Sequence, residues 1–239
     1  NEMNELKLSQ QVLAKRVFNK GVYDKHVAGF MLGQTPRWLS KEKNTIDIGG
    51  ATGMYASFFC QHSKKVYSFE AVPPVFKQLN KISKSFDNFE CHNIAVGSVN
   101  GQSSFWVDDK RLSNSGFQNL VGGQEITVDV RTVDSFDFED VGFIKIDVEG
   151  NEYDVLMGAE KTIDKFLPTC MIECYPKFSK IPDSNIYNFF NSRDYKCCYN
   201  LKNKGLVEVN TLEEFNNSLP LIDRHDGDYI FYHGNISSK

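Results

Sequence analysis

The chain has 239 residues, a net charge of −4, 41% hydrophobic and 24% charged residues, enough for one domain with an extension or for two small domains. This composition excludes a largely disordered, collagenous or multi-span membrane chain, and no apolar run approaches the ~18 residues of a membrane span. The acidic balance excludes a uniformly basic glove for nucleic acid.

Charge is unevenly spread. Residues 1–43 carry eight Lys/Arg against four Asp/Glu, and the remainder 19 against 27. Residues 5–40 look mostly helical, with Leu6, Leu8, Val12, Leu13, Val17 and Phe18 as apolar contacts and Gly21, Gly29, Gly33 and Pro36 as breaks. A solvated helical extension over residues 1–43 is expected, followed by the main domain over 44–239. The N-terminal residues lack the apolar core of a signal peptide. None of the six cysteines forms a C-x-x-C pair. Together these favour a reducing, cytoplasmic setting.

From Asn44 the pattern changes to short strands alternating with helices. Strands are expected at 44–49, 66–70, 89–96, 143–147, 169–174, 195–199 and 228–232, and helices at 75–86, 152–167, 185–191 and 212–217. Residues 97–136 break the alternation, and Ser103–Val107 and Ile126–Val130 read as an antiparallel insert around a Gly-, Ser- and Asn-rich loop. Strands alternating with helices imply an α/β fold with a parallel sheet covered on both faces.

The sharpest motif is Asp47-Ile-Gly49-Gly50-Ala51-Thr-Gly53 at a strand end. Glycines there let backbone approach a ligand closely, and ligands of open parallel sheets lie beyond the carboxyl ends of the strands; the alternative is a plain tight turn. Glu70 ends the next strand, 23 residues after Asp47, near the place where an acid holds a ribose diol. The spacing departs from the dinucleotide pattern G-x-G-x-x-G, and no Walker G-K-[ST] follows. A carboxylate at Asp47 repels a pyrophosphate but suits S-adenosyl-L-methionine, which carries a sulfonium and an ammonium.

The second constellation is Lys145-Ile-Asp147-Val-Glu149-Gly-Asn-Glu152. Strand alternation puts Lys145, Asp147 and Glu149 on one side at the ligand-facing end, where ionisable groups are costly unless paired or functional. For Glu152 a simple preference for a helix N-terminus is an equal alternative.

DIGGATG, FEAVPPVFKQL, NIAVG, RTVDSF and KIDVEGNEYDVLMGA, in this order, resemble the FkbM-type methyltransferases over about residues 44–176, and DYIFYH suits that family's last strand. The resemblance implies a class I, Rossmann-like seven-stranded sheet with the last strand antiparallel. It implies S-adenosylmethionine-dependent transfer of a methyl group to an oxygen, commonly on a sugar or polyketide. It places Asp47, Gly49 and Gly53, with Gly50 between them, around the methionine part of the cofactor. Glu70 falls at the ribose, Ala71 and Val72 at the adenine with Asn93 beside them, and Asp147 and Glu149 near the transferred methyl. The chain departs at Gly50, where the family usually has Ala, and at Ala51, where Asn is usual.

A sugar hydroxyl is a poor nucleophile and needs a base or a metal. Asp147 and Glu173, at the ends of successive strands, offer an oxygen platform for Mg²⁺ or Mn²⁺; the alternative is that Glu173 pairs with Lys145. Among the five histidines, His225 before the last strand is best placed as a base. Trp106 and Phe117 offer faces for a sugar ring or are plain core aromatics. The acceptor expected is a sugar or glycan hydroxyl. A polyketide or lipid alcohol, or a non-catalytic scaffold, are the competing readings, and nucleic acid is disfavoured by the acidic body.

Overall fold

The computed structural model describes residues 34–108, 115–117, 123–177, 179–201, 205–221 and 228–234. After a 3-10 turn at Thr35–Arg37 the elements run β1 (Asn44–Ile48), α1 (Met54–Phe59), β2 (Val66–Phe69), α2 (Pro73–Ser83), β3 (Phe89–His92), β4 (Ala95–Val96), β5 (Gly101–Val107), β6 (Gln124–Arg131), β7 (Val141–Ile146), α3 (Glu152–Met157), α4 (Glu160–Phe166), β8 (Thr169–Glu173), α5 (Ser184–Asn191), β9 (Lys196–Leu201), β10 (Gly205–Val209), α6 (Leu212–Ser218) and β11 (Asp228–Tyr232).

The main sheet has the order β10-β9-β11-β8-β7-β1-β2-β3. Pairs from β3 through β8 are parallel. β11 runs antiparallel to both β8 and β9, as expected for the last strand. The strand order reverses between β1 and β7, which makes their carboxyl ends the natural crevice.

Strands buried on both faces read as apolar runs, and the two faces are closed by different helices. On one, Ile46, Ile48, Ile144, Ile146 and Ile172 pack with Val155, Leu156, Ile163, Phe190 and Phe215. On the other, Phe143, Met171, Cys198 and Ile230 pack with Met54, Ala56, Phe59 and Leu79. Trp38 and Leu39 join that second cluster, so the described end of the N-terminal extension leans on this face. By alternation Asp47, Ser68 and Lys145 belong to the second face as well. All three are buried, and they interrupt an otherwise apolar layer.

Three sequence expectations change. The sheet has eight strands rather than seven, because Gly205–Val209 folds back on β9 as an antiparallel edge strand. The stretch 89–96 is two strands in different sheets, since β4 leaves β3 to pair with β6 of the insert. The Asn93 side chain, at the break, donates instead to the Glu70 and Ala71 carbonyls at 2.8 and 3.1 Å. The helix expected over 152–167 is broken at Gly158, where a Cβ would lie 2.0 Å from the Gly97 carbonyl oxygen. Asp134 then caps the second piece, accepting from the Lys161 and Thr162 amides at 3.1 and 2.9 Å, which satisfies two donors exposed by the break.

The insert pairs β5 with β6 antiparallel, as expected. All six cysteines are free thiols. Among the described residues no helix is long and apolar enough to cross a membrane.

Candidate active site

The site is built at the carboxyl ends of β1, β2, β7 and β8. Asp47, Ser68 and Lys145 are register neighbours across β2, β1 and β7. The Ser68 hydroxyl donates to Asp47 Oδ2 at 2.9 Å. Lys145 Nζ stands 3.7 Å from Asp47 Oδ1 and 3.1 Å from Asp147 Oδ2, with the Tyr55 ring 4.9 Å away. Lys145 is 2% exposed and Asp47 fully buried. Burial alone would strip the lysine of its proton, but the carboxylates of Asp147 and Asp47 outweigh it and push its pKa up. The ammonium therefore has no lone pair to act as a base; its work is to neutralise two acids. Burial raises Asp47 despite Lys145 and Ser68, which pull the other way. Asp47 Oδ1 has no hydrogen-bond donor among the described residues. An orphaned buried carboxylate oxygen is costly until a donor reaches it, and an α-ammonium group is such a donor.

The glycine loop is shaped by the protein itself. Gly49, at φ +79°, has its missing side chain filled by the Asp147 carbonyl, 1.8 Å from where a Cβ would sit. This lets the end of β7 press against the end of β1. A Cβ at Gly50 would fall 2.0 Å from Ser68 Oγ. At Gly50 the Ser68 hydroxyl fills the space a side chain would take. Ala51 adopts a left-handed conformation, φ 46°, which an alanine tolerates less well than Asn. Gly53 closes the loop before α1, with Leu79 against it.

Glu70 ties this loop to the next. Its Oε2 accepts from the Ala51 amide at 3.0 Å and its Oε1 from the Val72 amide at 2.8 Å. Burial raises its pKa, and the two amides and Lys145 oppose that. Each carboxylate oxygen has two acceptor sites, so both can take a further hydroxyl. Val72 is buried and Ala71 half-buried beside it. Asn93 is exposed and braces the Glu70–Ala71 backbone.

On the β7 side the chain turns sharply. Glu149 is left-handed at φ 55° and Gly150 at φ 101°. Glu152 reaches back, and its Oε1 accepts from the Val148 and Gly150 amides at 3.1 and 3.0 Å. Burial lifts its pKa to about 7 although those amides pull it down. Glu152 therefore braces the turn that carries Asp147 and Glu149, a role beyond the helix-terminus preference. The insert borders this turn, since a Cβ at Gly116 would lie 3.7 Å from the Glu149 carbonyl oxygen.

Asp147 follows the paired residues Ile146 and Ile172, which puts it beside Glu173. Asp228, the first residue of β11, is the direct register partner of Glu173. Asp147, Glu173 and Asp228 thus form a row across three strand ends on the face of Lys145. Glu173 is half-buried. Burial first, and then the negative charges of Asp147, Glu149, Glu152 and Asp228, hold it well above the usual carboxylate range.

Sequence reasoning brought Asp147 and Glu173 together correctly, but the metal assigned to them does not fit. Among the described residues no three His, Cys, Asp or Glu side chains form a metal-holding group, and Asp147 Oδ2 is already bound by an ammonium. The alternative partner for Glu173, Lys145, is likewise engaged with Asp47 and Asp147. Phe117 packs edge-on against Phe105 at 5.2 Å in the core of the insert, the plainer of its two readings. His225 and most of the Gly-, Ser- and Asn-rich loop of the insert lie outside the described residues. Ser68 and Asp228 were missed as site residues. For Ser68 the available signal was a polar residue in a buried strand beside Asp47; for Asp228 it was an acid opening an antiparallel last strand, at the end where the parallel strands finish.

The sequence matches the family described as methyltransferase FkbM domain over residues 47–197, more than half of the chain. No curated protein matches it. Among solved structures it is similar to an FkbM methyltransferase from Methylobacillus flagellatus, with a TM-score of 0.55 and 18% identity over 81% of this chain and 44% of that one. The chain therefore spans less than half of that protein. It is similar to an rRNA methylase from Streptococcus thermophilus, with a TM-score of 0.50 and 14% identity over 88% and 96% of the two chains. A Streptococcus mutans protein solved in complex with SAH gives a TM-score of 0.50 and 12% identity over 87% and 99%. At these identities the structures speak for the fold alone.

Proposed function

The chain belongs to the FkbM methyltransferase family, and from that premise we propose that it transfers a methyl group from S-adenosyl-L-methionine to a hydroxyl of a sugar or glycan. The observation that carries this reading is the division of the crevice. At the β1–β2 side a glycine loop, an orphaned buried Asp47 oxygen and a doubly amide-bound Glu70 suit a ligand with an ammonium at one end and a ribose diol at the other. At the β7–β8–β11 side Asp147, Glu173 and Asp228 present acceptors that hydroxyl groups satisfy as donors.

That second side is acidic, with Lys145 already neutralised. A phosphate-bearing acceptor such as RNA or a nucleotide sugar meets repulsion there. An aliphatic polyketide pocket would have an apolar lining, and this row is charged.

The cofactor supplies an electrophilic methyl carbon on a positive sulfur. The chain's own task is to hold an acceptor oxygen about 3 Å from that carbon and opposite the sulfur. Glu70 and the loop it ties fix the cofactor side. Lys145 orients Asp147, and Glu152 fixes the turn that carries Asp147 and Glu149.

The test is incubation with methyl-labelled S-adenosylmethionine and an acceptor panel of sugars, oligosaccharides, a lipid alcohol, a polyketide alcohol and RNA. Label in a saccharide methyl ether is the expected result. Label only in the lipid or polyketide alcohol, or in RNA, would overturn the acceptor assignment.

A further inference from the structure

Resting on the hydroxyl-acceptor reading above, we propose that Glu173 is the residue that takes the proton from the acceptor hydroxyl. The strand register carries this. Glu173 ends β8, is paired across the sheet with Asp228 of β11, and lies beside Asp147 beyond the end of β7. It is the middle member of the row, half-buried, so a bound acceptor can reach it.

Of the other ionisable groups near this place, Lys145, Asp47, Asp147 and Glu152 are each engaged in a different task, and Asp228 flanks Glu173 from β11. Lys145 on β7 is a buried ammonium shared by Asp47 and Asp147. Asp47 on β1 is fully buried behind it. Asp147 has one oxygen committed to that ammonium at 3.1 Å. Glu152 on α3 is buried, with its Oε1 on two backbone amides. Glu149 sits on the turn that Glu152 braces, off the strand ends. Among the described residues no cation pairs with Glu173, while Asp147, Glu149, Glu152 and Asp228 all act on it with negative charge. Like charges nearby make a carboxylate a stronger proton acceptor.

The step balances without a metal or redox partner. The hydroxyl O–H bond breaks toward a Glu173 oxygen, giving a neutral carboxyl. The acceptor oxygen bonds to the methyl carbon while the carbon–sulfur electron pair withdraws to sulfur, leaving a neutral thioether. The Glu173 carboxyl then gives its proton to water. Asp147 and Asp228 remain as flanking charges and hydrogen-bond acceptors for neighbouring hydroxyls.

The experiment compares the full chain with Glu173→Gln, Glu173→Asp and Glu173→Ala. It measures methyl transfer to a panel of methyl glycosides, S-adenosylhomocysteine affinity by calorimetry, and melting temperature. Glu173→Gln should lose about 100-fold or more in kcat, the scale of a general base, with cofactor-product affinity within about 2-fold. Its melting temperature should hold or rise, because a crowded negative charge is removed. Glu173→Asp should recover part of the rate, and added formate should recover part of it in Glu173→Ala. A Glu173→Gln chain as active as wild type overturns the inference, as does a variant that loses stability, cofactor affinity and rate together without rescue. A wild-type chain that methylates an amine but no hydroxyl fails the acceptor reading itself, and takes the assignment of this proton with it.

Discussion

Glu70 and Glu173 occupy matching places, each at the carboxyl end of a parallel strand in the same sheet, yet their surroundings are opposite. Glu70 is met by two backbone amides, from Ala51 and Val72. Glu173, raised first by burial, is subject besides to the negative charges of Asp147, Glu149, Glu152 and Asp228. A carboxylate held by fixed amides is pre-organised to receive hydroxyl donors without moving, which is what a binding residue needs. A carboxylate crowded by its own kind gains stability by taking up a proton, which is what a chemical residue needs. Lys145 stands between the two regions, and its ammonium keeps the negative charge of the crevice from accumulating on both sides.

The largest expected effect comes from removing that divider. Lys145→Met should cost about 3–5 kcal/mol at pH 7, the scale of stranding one partner of a buried ion pair, because Asp47 is fully buried. Urea unfolding should show this loss at pH 7 and a smaller one as pH falls, because burial raises the Asp47 pKa and a protonated Asp47 needs no counter-ion. An unchanged midpoint at pH 7 would mean that Lys145 does not hold the two regions apart.

Next in size is the pH dependence set by Glu152. Its folded pKa, about 7, is raised above the ordinary 4.5, so between these values the folded chain holds a proton that the unfolded chain releases. The stabilising contribution is full below pH 4.5 and is lost as pH rises through about 7, a change on the order of 3 kcal/mol. Unfolding free energies across pH 5 to 8 should therefore fall less steeply in Glu152→Gln, whose amide oxygen can still accept from Val148 and Gly150. Equal slopes in the two proteins would remove Glu152 as the source.

The smallest effect sharpens the loop on the Glu70 side. Ala51→Gly should stabilise the chain by about 1 kcal/mol, since a left-handed backbone suits glycine better than alanine. A loss on thermal unfolding would show that the Ala51 methyl group makes a contact that outweighs its strain.

The comparison also explains what the sequence revealed. The Glu70 side was legible because its parts are local: a strand, a glycine loop at its end, and an acid at the end of the next strand. Asp147 and Glu173 were legible for the same reason, each closing an apolar strand. What surrounds them was not. Asp228 joins the row only through the register of β11 on β8, a long-range pairing that no local spacing encodes. Pairing Lys145 with Asp47 as well as Asp147 required the register of β7 on β1, and this is what removed both the metal platform and the Lys145–Glu173 pair. The break at Gly158 depended on the Gly97 carbonyl, about 60 residues away in the chain, so helical periodicity ran through it. The eighth strand was within reach: in the sequence, Asn-Lys-Gly205 is a turn signal between the strand-forming runs that end at Leu201 and begin at Leu206.

One calorimetric experiment tests the division of the crevice most directly: S-adenosylhomocysteine titrated into wild type, Glu70→Ala and Glu173→Gln under one buffer. Binding to wild type is expected, weakened about 10-fold or more in Glu70→Ala by the loss of a charge-assisted anchor and unchanged in Glu173→Gln. No heat with wild type, or equal weakening in both variants, would contradict the account.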